Sequence, residues 1–428
     1  MNTTSFQLPY GRGYLPAVIQ DSRLTQVLTA DLHDMKAGDG AALVKAAMDA
    51  PIGSPLLQEM AQGKNKVVII ISDHTRPVPS RVILPPMLSA IREGNPAAEI
   101  TLLVATGCHR CTSEAELRAK LGDEIFENER ICIHDCDDME NMVYLGELPS
   151  GQSLKINRIA AEADLLVAEG FIEPHFFAGY SGGRKSVLPG ISARETVVGN
   201  HCAEFIDSPC ARTGILENNP IHEDMEWAAQ RAGLKYIVNV VLNSEKQVVS
   251  AYAGDPVQAH LAGSRSLEKN CRVSGKLSDI VITTNGGYPL DQNVYQAVKG
   301  MTAAEAVVRE GGVIIMLASA ADGCGGEHFY RQITETDPET QLKNFRSRPA
   351  DQTHPDQWQT QIFLRVLKRA QIILISECPD EMVRAMRMIP AADVQSALET
   401  AETLLGKKDA SVTVIPDGVS VIVAQACE

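Results

Sequence analysis

The sequence has no apolar stretch of membrane-spanning length, so a transmembrane helix is excluded. Nor does it have an excess of basic residues. Asp and Glu number 54 against 39 Lys and Arg, a net charge of −15. Nucleic acid and anionic membrane surfaces both require a basic face, so neither is expected as a partner. The first residues, MNTTSFQLPYGRG, lack a basic region followed by an apolar run, so no signal peptide is expected. The ten cysteines are scattered rather than spaced as a disulfide framework, which points to the cytoplasm. The one close pair of interest is Cys108 and Cys111 in GCHRC, and there is no second such pair to complete a metal site. HExxH and GxSxG are both absent. His109, His175, His201 and His222 are dispersed, which is not the local pairing of a zinc hydrolase.

What is present is a series of short β-branched runs separated by helical patterns: 66–72, 99–105, 130–134, 164–170, 279–284, 312–318 and 371–376. Continuous apolar runs of this length suit strands buried on both faces, as in parallel sheets. Alternation with helices gives an α/β fold with mostly parallel sheets. The 428 residues exceed one ordinary core, so two α/β domains are expected. Ser113 with Glu116, and Thr302 with Glu305, have capping-box spacing and predict helix starts. The run 235–255 reads as a hairpin around Asn243 to Lys246. A polar stretch at 264–278 suggests the boundary, with domains at 1–268 and 269–404.

The polar motifs follow the predicted strands. SDHTRP follows the first, ATGCHRC the second, EPHFFAGYSGGRKS the fourth and NGGYPLDQNVYQAVKG the fifth. Ligands of open parallel sheets bind beyond the carboxyl ends of strands, so these loops are expected to converge on one cleft. GYSGGRKS is close to a phosphate loop, but Arg184 stands where that pattern needs the glycine before Lys185. Its glycines still allow backbone to approach an anion, and Lys185 could be an ion partner or a covalent attachment point. His109 and His175 in one cleft suit acid and base work on two faces of a substrate. Asp73 could cap the following helix and Arg76 could hold an anion; the plainer alternative pairs them with each other. His201 could ligate a metal. Tyr295 and Lys299 share a helical face, with Gln296 beside it, and a lysine there could take a carboxylate.

Together SDHTRP, ATGCHR, EPHFFAGYSGGRKSVLPGIS, GNH, NGGYPLDQNVYQAVKG and HPDQW resemble, in order and over nearly the whole chain, the nickel-dependent lactate racemase family. Cys108 departs from the pattern, where threonine is expected. The resemblance implies a two-domain α/β protein with its site in the interdomain cleft, the segment 405–428 returning to the first domain. It implies nickel and a pyridinium-3,5-bisthiocarboxylic acid mononucleotide (a nickel-pincer nucleotide) attached through Lys185. His201 would ligate the metal, and Gly179, Ser181, Gly182 and Gly183 would cradle the cofactor. Soft sulfur donors with one imidazole suit divalent nickel. His109 and His175 would be the catalytic acid/bases. Arg76 and Lys299 would hold a 2-hydroxy acid, with Gln296, Tyr295 and Trp358 lining the pocket and Asp73 orienting His109 or Arg76. Cofactor-biosynthesis proteins are implied as partners. Lactate is the expected substrate; malate, 2-hydroxybutyrate, phenyllactate or a sugar acid is the alternative. A nucleotide-binding phosphotransferase is a further reading, disfavoured by Arg184. A non-enzymatic binding protein would be expected to lose the lysine or a histidine, and this chain keeps them.

Overall fold

The structure, a computed structural model, describes residues 2–426, except the side chains of His33 and Asp34. It contains two six-stranded sheets. The first runs in the order Val248–Gly254, Leu234–Leu242, Leu165–Phe171, Lys66–Ser72, Glu99–Ala105, Arg130–Ile133. Its pairs are parallel except at the Val248–Gly254 edge, which forms the expected hairpin with Leu234–Leu242. The second is parallel throughout, in the order Ile389–Ala391, Ala370–Ile375, Val308–Leu317, Ser278–Thr284, Val412–Ile415, Leu24–Val27. Strands such as KVVIIIS and LLVAEGF are buried along almost their whole length because helices and loops cover both faces of the sheet. One hydrophobic cluster extends from the inner face of the first sheet to that of the second, and separate clusters fill the outer faces. Among the described residues no helix is long and apolar enough to cross a membrane.

Three expectations are corrected. The segment 405–428 does not return to the first sheet. Val412–Ile415 is fully buried between Ser278–Thr284 and Leu24–Val27, and Ile422–Gln425 pairs with Arg272–Gly275. The exchange runs the other way: Leu24–Val27 joins the second sheet, and the hairpin of Thr3–Tyr10 with Gly13–Gln20 packs Leu8, Ala17 and Ile19 onto it. Second, the polar stretch around 264–270 is the wet side of a helix, Pro256–Cys271, whose other side buries Ser264, Leu267 and Cys271. Third, Thr302 starts no helix. It lies inside Val294–Glu305, where its hydroxyl donates to the Lys299 carbonyl at 2.7 Å, and the cap is Asn293. Ser113 and Glu116 do form the predicted capping box.

Candidate active site

The carboxyl ends of the first sheet and two helices from the second half of the chain enclose a cleft of about 450 Å³. That lies within the range of roughly 300–1,000 Å³ of small-molecule sites. Asp73, Arg76, His109, His175, Ser181, Gly182, Gly183, Lys185, His201, Tyr295, Gln296, Lys299 and Trp358 all line it. Gly179 does not. It pairs with His175 in a two-residue antiparallel bridge, and a Cβ on it would stand 2.4 Å from the Ile215 carbonyl. Its role is to let the turn that presents His175 pack against its neighbours. Gly182 and Gly183 face similar crowding: a Cβ would meet Asn239 Oδ1 at 2.6 Å and the His260 ring at 2.9 Å, respectively. The Gly183 N–H is taken by Asn239 Oδ1 at 2.8 Å, and Ser181 Oγ accepts from the Glu173 N–H at 2.9 Å. Packing of the loop on its own protein accounts for these small residues.

The loop after Lys66–Ser72 places Asp73 beside His109 from the neighbouring strand end. Nδ1 of His109 lies 2.7 Å from Asp73 Oδ2, while Thr75 donates to Oδ1 at 2.7 Å through its hydroxyl. Burial alone would raise the Asp73 carboxyl, but the hydrogen bond and charge of His109, with Arg76, outweigh it and hold it at about 2. The carboxylate therefore accepts a hydrogen bond from Nδ1–H and leaves Nε2 of the half-exposed His109 ring with its lone pair free to act as a base. Arg76 does not pair with Asp73; it donates to Thr75 Oγ1 at 3.0 Å. His175 is arranged oppositely. Its Nδ1 accepts the Ala178 N–H at 3.2 Å, so the neutral ring carries its hydrogen on Nε2, 3.4 Å from Lys185 Nζ. Burial, then the charges of Lys185, Lys299 and Arg76, push His175 far below its usual value.

Lys185 is pushed well below the usual lysine value by burial and by the charges of Arg184, Arg76 and Lys299, the direction that favours a nucleophilic amine. Burial and Arg76 lower Lys299 to about 8. Among the described residues neither Arg76 nor Lys299 forms a close ion pair, so this acidic chain keeps cations available in the cleft, with Glu173 acting on both as a counter-charge. Arg184, the departure from the phosphate loop, points elsewhere. It is buried, with its guanidinium against His260 Nε2 at 2.9 Å and the Ala178 carbonyl at 2.7 Å.

His201 Nδ1 donates to the Val197 carbonyl at 2.8 Å, so Nε2 keeps its lone pair. Burial and the Lys185 charge lower it to about 3, so the ring is neutral at any ordinary pH. It stands edge-on to Phe177 and Trp358, with ring centroids 5.2 and 5.1 Å away. Among the described residues only Asp135, Cys136 and Asp137 bring three ligating atoms together, and none of them lines the cleft. A metal beside His201 would therefore draw its other donors from a bound group. Cys108 and Cys111 do not act as a pair: Cys108 interacts with Cys136, while Cys111 is exposed. Phe177, which packs on both His175 and His201, carried no signal beyond standing next to a histidine. Glu169 and Ser72 also line the cleft and read in the sequence only as parts of strands.

Residues 10–214 match the lactate racemase N-terminal domain and residues 273–423 the lactate racemase C-terminal domain. The chain belongs to the lactate racemase family. It is 50% identical to the lactate racemase of Thermoanaerobacterium thermosaccharolyticum over 98% of this chain and 99% of that one. Against the lactate racemase of Lactiplantibacillus plantarum the figures are 48%, 98% and 99%. The solved lactate racemase apoprotein from T. thermosaccharolyticum superposes with a TM-score of 0.95 over 98% of this chain and all of that one, at 50% identity. A Thermotoga maritima protein of 20% identity shares the fold, with a TM-score of 0.67 over 91% of this chain and all of that one.

Proposed function

We propose that this member of a family of isomerases racemises a short 2-hydroxy acid, lactate first, using a nickel-pincer nucleotide attached through Lys185. One observation carries the reading: His109, His175, Lys185 and His201 meet in one cleft whose cations, Arg76 and Lys299, suit an anionic substrate. The residues fit the group. Lys185 offers an amine that burial and neighbouring cations push toward its nucleophilic form, and His201 offers Nε2 to a metal that needs further donors from elsewhere. Such a group would be supplied by separate biosynthesis proteins, since this chain's cleft holds it rather than builds it. When bound it supplies a hydride acceptor, which avoids forming a carbanion beside a carboxylate.

Arg76 and Lys299 hold the substrate carboxylate, and Gln296, whose buried Oε1 has no partner, accepts a hydrogen bond in the same pocket. Tyr295 and Trp358 wall the same pocket. Nε2 of His109 takes the hydroxyl proton, and Asp73 steadies the imidazolium that results. Loss of that proton with a hydride from C2 leaves a 2-keto acid, which returns to either enantiomer after reorienting. For His175 to accept a proton at Nε2 in the mirror direction, its hydrogen must move to Nδ1 and the Ala178 N–H contact must open. The resting pair is thus unsymmetrical.

The test is chiral chromatography of a panel incubated with nickel-loaded holoprotein: L-lactate, 2-hydroxybutyrate, malate, phenyllactate and a sugar acid. Lactate or its short homologue should turn over fastest. His109→Ala and His175→Ala should each lose racemisation while retaining the adduct. Racemisation of only a larger or dicarboxylic acid would refute the substrate, and substantial activity in either variant would refute the two-histidine scheme.

A further inference from the structure

The first sheet reverses its winding at one place. From Lys66–Ser72 the chain steps outward to Glu99–Ala105 and Arg130–Ile133. It then returns to the other side of Lys66–Ser72 as Leu165–Phe171 and continues to Leu234–Leu242. The crevice between Lys66–Ser72 and Leu165–Phe171 is therefore the switch point at which open α/β sheets receive ligands.

Two polar groups stand there without partners. Glu169 is 3% exposed; its Oε1 accepts from Ser80 Oγ at 2.6 Å, while Oε2 is buried with no hydrogen bond. Ser72 Oγ is buried and equally unpaired. Both residues line the cleft. Buried polar atoms of this kind call for a partner, and on the wall of a cleft that partner is a ligand or an ordered water. Burial pushes the Glu169 carboxyl upward, with Lys120, the Ser80 hydroxyl and the Ser72 backbone N–H pulling the other way. Lys120 does not close the site, because its ammonium donates to the Arg76 and Val78 carbonyls at 3.3 and 3.4 Å. An acid beside a hydroxyl is a poor host for phosphate or carboxylate, which Arg76 and Lys299 serve elsewhere in the cleft. It is a good host for neutral vicinal hydroxyls, which donate to the acid and exchange a hydrogen bond with the serine.

We propose that the crevice between these two strands is the subsite for the ribosyl diol of a mononucleotide, with Glu169 and Ser72 as its hydrogen-bonding groups. This rests on the mononucleotide reading above and extends it to the sugar. The test is calorimetric titration of the apoprotein with nicotinic acid mononucleotide and with its 2′,3′-dideoxy analogue, alongside the intact mass of holoprotein. The wild-type protein should prefer the ribosyl compound by about tenfold or more. Glu169→Gln and Ser72→Ala, each with an unchanged melting profile, should narrow that preference while leaving the dideoxy affinity unaltered. Equal affinities in the wild-type protein, or binding of neither compound at millimolar concentration, overturn the subsite. A holoprotein with a mononucleotide adduct but no ribosyl preference sinks this inference alone. A holoprotein without the adduct sinks the cofactor reading as well.

Discussion

Replacing Asp73 by asparagine tests the chemistry of the cleft and its physical basis together. The carboxylate is 2% exposed and is held by His109 Nδ1 at 2.7 Å and by the Thr75 hydroxyl at 2.7 Å. Its value falls from the usual 3.8 to about 2, which corresponds to about 2 kcal/mol of folding stability at neutral pH. Because the folded value lies below the unfolded one, this contribution is complete above pH 3.8. It is lost as pH falls through about 2, with roughly half remaining at pH 3. Asp73→Asn should therefore unfold at lower urea concentration than the wild-type protein at pH 7, and the gap should narrow by about half at pH 3. Loss of the carboxylate also frees the imidazole to carry its hydrogen on Nε2, the wrong nitrogen for a base. Racemisation should fall by roughly 10²- to 10⁴-fold with the adduct intact. A kcat within twofold of wild type in the Asp73→Asn protein, or a stability gap indifferent to pH, would refute the reasoning.

Lys185→Ala should show no covalent mass increment after exposure to the cofactor-supplying proteins, read by intact-protein mass spectrometry. On the proposed function, His201→Ala should keep that increment but carry at least about tenfold less nickel by elemental analysis, because the Nε2 proposed to hold the metal is gone. Gly182→Ala should destabilise the apoprotein by about 2 kcal/mol or more. There φ is +78° and a Cβ would sit 2.6 Å from Asn239 Oδ1 and 2.7 Å from the Phe171 carbonyl. An unchanged melting temperature would show that the loop yields.

The strands of both sheet centres were legible because KVVIIIS, EITLLVA and GVIIMLA are apolar on both faces, and only a covered sheet demands that. The site was legible for a related reason. His109, His175 and Lys185 stand directly past such strands, where turn-making alone has no use for them. Leu24–Val27 is four residues long, at a sheet edge and only partly buried, so no pattern marks it. Its pairing with Val412–Ile415 joins residues nearly the whole chain apart, which no local window detects. Thr302 misled because its hydroxyl can bond back within a helix as well as cap one. The glycines of GYSGGRKS read as room for a ligand, yet much of that room is filled by Asn239, His260 and Ile215 from distant segments. Glu169 was hidden because one acidic residue in an apolar strand reveals nothing of what it faces.

The pairing of Leu24–Val27 with Val412–Ile415 sets an order of assembly. All six strands of the first sheet lie between residues 66 and 254, so that sheet can close while the ribosome is still far from the end of the message. The second cannot. Its edge strand Leu24–Val27 emerges before any strand of the first sheet and must wait, unpaired, for Val412–Ile415, which emerges after all of them. Until then its open edge is the exposed part of the nascent chain. The first domain is in effect an insertion within the second, tied to it at both ends, so a single cut in either crossing would leave the two halves still joined.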